Sequence, residues 1–207
     1  MKSVLVINPN SSVRTTEAMV AIARRHLPDV QGWTNADAPA MITDLAALAA
    51  AGDQVAVADL PRGDGVIVAA FGDPGVRRLA ERLEGPVVGI GAAAAQAAAN
   101  GGASFAVATT TPALGASIDA LMRAHGQAGR YLGSFMTPGE PQALLADPAA
   151  LDSALLEACA IAQTAGAERV IIGGGPLAEA AKRLAPRVSV PLIQPLPEAC
   201  KAISERL

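Results

Sequence analysis

The run Val66-Ile67-Val68-Ala69-Ala70-Phe71-Gly72-Asp73-Pro74-Gly75 joins a short apolar segment to a turn that contains glycine and proline. A similar order returns in the second half of the chain as Val170-Ile171-Ile172-Gly173-Gly174-Gly175-Pro176-Leu177. A β-branched run bounded by Gly and Pro is typical of a buried strand. Each run leads into an amphipathic segment, and strands that alternate with helices indicate βαβ units around a parallel sheet. The two runs therefore predict an α/β chain in which one unit occurs twice.

A second pair of segments supports this internal repeat. Residues 4–10 are echoed by residues 105–111, each a buried strand pattern that ends in small polar residues before a helix. We predict strands near residues 3–8, 30–34, 65–70, 86–90, 104–109, 131–136, 168–172 and 191–193. The chain is thus expected to form two similar α/β halves with a cleft between them. The first would comprise residues 1–100 with 195–207 and the second residues 101–194, so that the last helix packs back on the first half.

Composition excludes several classes of partner. Hydrophobic residues make up 51% of the 207 residues, which is enough for a sizeable core. The net charge is −3 and the basic residues are scattered, whereas nucleic-acid binding needs a basic stripe. No stretch approaches the roughly 20 apolar residues of a membrane span, and the first apolar run is too short for a signal peptide. We expect a cytoplasmic protein with neither nucleic-acid nor membrane partners.

The two cysteines, Cys159 and Cys200, both fall in helical patterns without CxxC or Cys/His spacing. Free cysteine is among the most often buried residues, so both are predicted to be small core side chains. A disulfide or a metal site is not expected.

Four predicted helix starts follow strand ends that the repeat relates to one another. Asn10 or Ser11 can cap a helix near Ser12, and the pairs Asp73-Pro74, Thr111-Pro112 and Gly175-Pro176 place proline after the strand end. Proline is favoured at the first helical position, where its missing N–H would have no partner. Helix N-termini carry free N–H groups and partial positive charge, and α/β sheets bind ligands at the carboxyl ends of their strands. A small anionic molecule is therefore the expected partner.

The ligand-binding residues predicted from these turns share a position at or just beyond a strand end. They are Asn8, Pro9, Asn10, Ser11, Phe71, Gly72, Thr109, Thr110, Thr111, Gly175 and Pro176. The loops 37–43 and 137–142 are expected to set selectivity.

A pattern typical of a dinucleotide site, GxGxxA, occurs at residues 89–94. Such a site also needs an acidic residue about 20 positions later, at the end of a second strand. That neighbourhood is Val107-Ala108-Thr109-Thr110, which has no acid. We predict no nucleotide and no other cofactor.

Taken together, several motifs resemble those of the aspartate/glutamate/hydantoin racemase superfamily, and most closely its hydantoin/allantoin racemase branch. They are Ile7-Asn8-Pro9-Asn10-Ser11-Ser12, Phe71-Gly72-Asp73-Pro74-Gly75, Val88-Gly89-Ile90-Gly91 and the segment from Val170 to Leu177. The resemblance spans nearly the whole chain. It implies a pseudo-twofold α/β fold with the active cleft between two parallel-sheet halves, and a cofactor-independent isomerase. Because homo-oligomers are common among soluble proteins, we also expect a homo-oligomer.

In that family two cysteine thiols flank the acidic carbon of the substrate, and they correspond to Ala70 and Gly174 here. Neither residue can carry a proton, and Cys159 and Cys200 are not placed to replace them. The glutamate that often follows the Gly-Ile-Gly strand is Ala92. Asp73 is the one carboxylate beside a former cysteine position. It is either a helix cap, whose bonds to N–H groups would lower its pKa, or a catalytic base.

Three functions remain open from the sequence. The first is a racemase-family enzyme that acts on a hydantoin-, allantoin- or amino-acid-like carbon acid by stabilising an enolate, with a cysteine-independent mechanism. The second is a cofactor-free lyase, decarboxylase or hydrolase on the same scaffold. The third is a non-catalytic protein that binds a small anion.

Overall fold

The computed structural model describes residues 2–174 and 177–207. Its strands form two four-stranded parallel sheets with the orders β2-β1-β3-β4 and β6-β5-β7-β8. The strands are β1 Ser3–Asn8, β2 Asp29–Thr34, β3 Gly65–Val68, β4 Val87–Gly89, β5 Ser104–Thr109, β6 Arg130–Met136, β7 Arg169–Ile172 and β8 Leu192–Ile193. Because the second order repeats the first, the prediction of two similar parallel-sheet α/β halves is confirmed.

Helices connect the strands in both halves. They are α1 Val13–Ala23, α2 Leu45–Val57, α3 Val76–Arg82, α4 Ile90–Ala99, α5 Gly115–His125, α6 Pro141–Ala146, α7 Pro148–Thr164, α8 Ala178–Leu184 and α9 Pro195–Ser204. Short 3₁₀ turns occupy Asn100–Gly102, Pro112–Leu114 and Ala185–Arg187. None of the helices in the described ranges has the length and apolarity that crossing a membrane requires.

The central strands read as continuous apolar runs because helices cover both faces of each sheet. All six residues of β5 are buried, as are five of the six in β1. The predicted strand 65–70 is shorter than expected, since β3 ends at Val68. Ala69 still donates its N–H to the carbonyl oxygen of Ile7, but Gly72 has a φ of 138° and the chain turns away from the sheet.

Helix α4 lies between the two sheets. Ile90 and Ala93 belong to the core of the first sheet, whereas Ala94, Ala95 and Ala98 pack with Phe105 and other residues of the second. A helix that is apolar around most of its circumference is expected to be buried, and alanine allows close approach on every side. This helix therefore gives the two halves a shared packing element.

Helix α9 returns to the first half, where it contacts α1, α4, β3 and β4. Leu196, Ala199, Cys200 and Ile203 supply its buried face. The proposed domain bounds, residues 1–100 with 195–207 and residues 101–194, stay a prediction.

Candidate active site

A cavity of about 60 Å³ lies at the carboxyl ends of the central strands of both sheets. One water needs roughly 10–15 Å³ by this measure, so the space suits a small molecule. Both halves line it. The residues are Asn10, Thr15, Met41, Ile42, Leu48, Ala69, Ala70, Phe71, Thr109, Thr110, Thr111, Leu114, Leu145, Gly173, Gly174 and Leu177.

The structure brings seven of the residues singled out from the sequence to this cavity, namely Asn10, Ala70, Phe71, Thr109, Thr110, Thr111 and Gly174. Five others lie nearby in the chain but outside the described lining: Asn8, Pro9, Ser11, Gly72 and Asp73. The last two, Gly175 and Pro176, fall outside the described residues. Ala70 and Gly174, the two positions at which the resemblance implies cysteines, thus line one cavity from opposite halves.

A buried network orients the side chain of Asn10. Its Oδ1 accepts a hydrogen bond from Asn8 Nδ2 at 2.9 Å and another from the Ser12 N–H at 2.9 Å. Asn8 Nδ2 also donates to the carbonyl oxygen of Ser12 and to Thr16 Oγ1. Since the oxygen of the Asn10 amide already accepts two bonds, its Nδ2 is the group left to act toward a ligand.

The cap of α1 differs from the prediction. Ser12, rather than Asn10 or Ser11, is the N-cap, and its Oγ accepts the N–H of Thr15 at 3.2 Å. Asn10 is instead engaged in the network with Asn8, and its oxygen also accepts the N–H of the cap residue Ser12. Only the Nδ2 of its amide is therefore available to the cavity.

Threonines form the corresponding edge of the second half. Thr109 Oγ1 donates to the carbonyl oxygen of Gly173 at 2.8 Å and lies 3.5 Å from Thr111 Oγ1. This bond ties the end of β5 to the turn that carries Gly174. Pro112 begins a 3₁₀ turn with Thr111 at its N-cap position, and α5 follows from Gly115.

Asp73 does not cap the helix that follows it, contrary to prediction. The N-cap of α3 is Gly75 and has no side-chain bond, because the Asp73 carboxylate turns toward α4. The expected low pKa is also wrong. Burial raises the pKa of Asp73 to about 6, although the N–H groups of Gly91 and Ala92 act in the opposite direction.

The turn that carries Phe71 and the turn that carries Gly173 contact each other beside the two positions at which the resemblance implies cysteine thiols. A Cβ added at Gly173 would lie 2.6 Å from Phe71 Cε1, so the ring of the first half occupies the space above this glycine. Gly174 has a φ of 144°, which L residues rarely adopt. Its Cβ would also lie 3.2 Å from Leu177 Cδ1. A side chain at Gly174 would therefore strain the backbone.

Sequence reasoning missed most of the apolar wall, which consists of Met41, Ile42, Leu48, Leu114, Leu145 and Leu177. Met41 and Ile42 lie in the loop 37–43 expected to set selectivity, and Leu145 lies in α6 just beyond the loop 137–142. The sequence feature that could have revealed this apolar lining is the pair Met41-Ile42, which lies inside an otherwise polar loop.

None of the described lining residues carries an ionisable side chain. The cysteines stand elsewhere: Cys159 is buried in α7 and Cys200 in α9, and burial raises their pKa values to about 11 and about 12. Within residues 2–174 and 177–207, no cluster of three or more His, Cys, Asp or Glu side chains could hold a metal ion. Ligand recognition must therefore come from amide, hydroxyl, backbone and apolar groups.

Comparisons with known proteins agree with this architecture. The sequence model of the family described as Asp/Glu/Hydantoin racemase matches residues 4–203. A hydantoin racemase from Paenarthrobacter aurescens is 29% identical over 96% of this chain and 88% of its own length. Another from Rhizobium meliloti is 31% identical over 95% of this chain and 85% of its own length. The crystal structure of allantoin racemase from Pseudomonas fluorescens aligns with a TM-score of 0.88 at 26% identity, and the match covers 98% of this chain and 89% of that one.

Proposed function

The chain belongs to the Asp/Glu/hydantoin racemase family, a family of isomerases, and from this premise we propose that it acts on a small hydantoin-like carbon acid without a cysteine base. The observation that carries the proposal is the cavity at the strand ends of both halves, which offers the Asn10 amide nitrogen and the hydroxyls of Thr110 and Thr111 as donors. Oxygen atoms of a carbonyl compound match these donors. The relatives named for hydantoin and allantoin support the same kind of substrate.

A cyclic imide fits this cavity better than a free amino acid. A carboxylate substrate would bring a negative charge that no described lining residue neutralises, and burying an unpaired charge is costly. Deprotonation beside a carboxylate would add a second negative charge to the same molecule. In a hydantoin the reacting carbon lies between a carbonyl group and a ring nitrogen, so only one negative charge develops.

The proposed step breaks the C–H bond of that carbon. The electron pair moves onto the carbonyl oxygen, where Asn10 Nδ2 and the hydroxyls of Thr110 and Thr111 donate hydrogen bonds to the enolate. The proton passes to a water molecule admitted from solvent, because the described lining supplies no side-chain base. Return of a proton from solvent to the opposite face then gives the other enantiomer.

The apolar residues of the same cavity lining predict the substituent of the substrate. Met41, Ile42 and Leu48 come from the first half, whereas Leu145 and Leu177 come from the second. Each buried CH₂ group contributes about 0.8 kcal/mol, or roughly a fourfold gain in affinity. We therefore propose an apolar substituent, and we expect isobutyl and benzyl hydantoins to bind more tightly than a carboxyethyl hydantoin.

The test uses single enantiomers of these three hydantoins in deuterium oxide. We expect the protein to cause exchange of the proton on the reacting carbon, together with loss of optical rotation. Both effects should be faster for the isobutyl and benzyl hydantoins than for the carboxyethyl hydantoin. The spontaneous rate without protein is subtracted, and Asn10→Asp serves as the variant control. Neither exchange nor racemisation above the spontaneous rate for any of the three would contradict the proposal.

A second candidate function is the binding of a small molecule without catalysis. One observation favours it, namely that none of the described lining residues has an ionisable side chain. A protein that kept the family's pocket and lost its chemistry would have such a lining. Saturable hydantoin binding without exchange would support this reading, whereas bond cleavage without racemisation would support a lyase or hydrolase. A cofactor-independent homo-oligomer in the cytoplasm is part of the first proposal.

A further inference from the structure

The carboxylate of Asp73 binds a helix other than the one it precedes. Its Oδ1 accepts the N–H of Gly91 at 2.7 Å, and its Oδ2 accepts the N–H of Ala92 at 2.7 Å. Both donors lie in the first turn of α4, where helical N–H groups have no partner within the helix. The N-cap of α4 is Gly89, which has no side chain to satisfy them. Asp73 therefore supplies the cap of α4 from a distant part of the chain.

Two glycines make room for this carboxylate. A Cβ at Gly89 would lie 2.2 Å from Asp73 Cγ, and one at Gly91 would lie 3.1 Å from Asp73 Oδ1. The Gly-Ile-Gly pattern at residues 89–91 therefore has a physical explanation that involves no dinucleotide. In a dinucleotide site a phosphate occupies the helix N-terminus, whereas here an internal carboxylate takes that place.

The same residue also closes the turn of the cavity wall. The N–H of Asp73 donates to the carbonyl oxygen of Ala70 at 3.0 Å. Its φ of 51° lies in the left-handed region, which Asp and Asn adopt more readily than other residues with side chains. One residue thus links the turn that carries Ala70 and Phe71 to the start of α4.

We propose that Asp73 is a positioning residue that holds the Ala70–Gly72 turn against α4 and so fixes one wall of the cavity. Each carboxylate oxygen already accepts a hydrogen bond from α4, and Asp73 lies outside the described lining. It therefore acts on a ligand through Phe71 and the backbone of the turn. The effect on ligand binding rests on the proposed function, whereas the effect on the turn does not.

The central experiment compares Asp73→Asn with Asp64→Asn. Asparagine tolerates the backbone of position 73, but its NH₂ group would face an N–H donor of α4, so one of the two bonds is lost. Asp64 precedes β3 at the opposite end of the sheet, where its Oδ2 accepts the N–H of Ser3 at 2.7 Å. The control variant therefore also weakens a carboxylate-to-backbone bond beside the same strand.

The first readout needs no ligand. In ¹H–¹⁵N spectra of folded protein at 25 °C, we expect Asp73→Asn to move the amide signals of Ala70, Phe71 and Gly72, and Asp64→Asn to leave them in place. The second readout is the affinity for isobutyl hydantoin, which we expect to fall at least fivefold in Asp73→Asn and less than twofold in Asp64→Asn.

Unmoved turn amides in a folded Asp73→Asn variant, or equal movement in both variants, would overturn the proposal. If the wild-type protein binds no hydantoin, the proposed function fails, and the amide readout still decides the role of Asp73. If Asp73→Asn does not fold, Gly91→Ala is used instead. Its Cβ would press on Asp73 Oδ1 and on the end of the Leu121 side chain, so the same amides are expected to move.

Discussion

At the scale of single residues, Asn10 presents the nitrogen of its amide to the cavity because the oxygen is already bonded to Asn8 and Ser12. Asn10→Asp keeps those two bonds and removes the donor. We expect affinity for a hydantoin to fall about tenfold, since a hydrogen bond contributes about 0.5–1.5 kcal/mol and an unmatched acceptor adds to the loss. Isothermal titration calorimetry measures the change.

The matched control is Asn35→Asp. Asn35 Nδ2 donates to the carbonyl oxygen of Pro9 and to Gln54 Oε1, but Asn35 does not line the described cavity. This variant should lose stability without a comparable change in affinity. A similar loss of affinity in both variants would show that Asn10 contributes only to the fold.

Gly174 is the second residue with a specific expectation. Because its φ is 144°, we expect Gly174→Cys to lower the free energy of unfolding by about 1–3 kcal/mol, measured by urea denaturation. Ala70→Cys introduces no such strain and should change stability less. The double variant is the direct way to install two thiols in the cavity, and strain at Gly174 is the reason to expect weak racemase activity from it. Unchanged stability of Gly174→Cys would contradict this account.

At the scale of secondary-structure elements, α4 has almost no space for larger side chains. Ala95 and Ala98 are fully buried against the second sheet. We expect Ala98→Leu to lower the free energy of unfolding by about 1–3 kcal/mol through overpacking, whereas Gln96→Leu on the exposed side changes it by less than about 0.5 kcal/mol. Chemical denaturation of both variants measures the difference, and equal effects would argue against close packing around α4.

The elements also show what the sequence could and could not predict. The strands and their division into two similar halves followed from the β-branched runs and from the repeat, both of which can be read directly from the sequence. The role of Asp73 did not, since the partner N–H groups of Gly91 and Ala92 lie far along the chain and a local capping rule pointed to α3. The loop 37–43 was predicted to set selectivity, but Leu145 was missed because its place on the cavity depends on how the chain beyond the loop 137–142 folds over it.

At the scale of the whole molecule, the half-buried Asp73 links stability to pH. Its folded pKa of about 6 lies above the ordinary value of 3.8, so between these values the folded state binds more protons than the unfolded state. The contribution of Asp73 to the free energy of unfolding is therefore greatest below about pH 4. It falls by up to about 3 kcal/mol as the pH rises through 6. The measurement is the difference in unfolding free energy between wild type and Asp73→Asn from pH 4 to pH 7. A difference that does not vary with pH would contradict the raised pKa.

The contact between Phe71 and Gly173 makes the two halves dependent on each other during evolution. The ring from one half fills the volume that a side chain on the other would need. An alanine at position 173 is therefore acceptable only after residue 71 has become smaller, and a smaller residue 71 alone leaves a void. A substitution at either position alone gives a less stable protein. We therefore expect positions 71 and 173 to change together. Although the halves look like copies of one unit, neither can now be altered at the cleft as if it were alone.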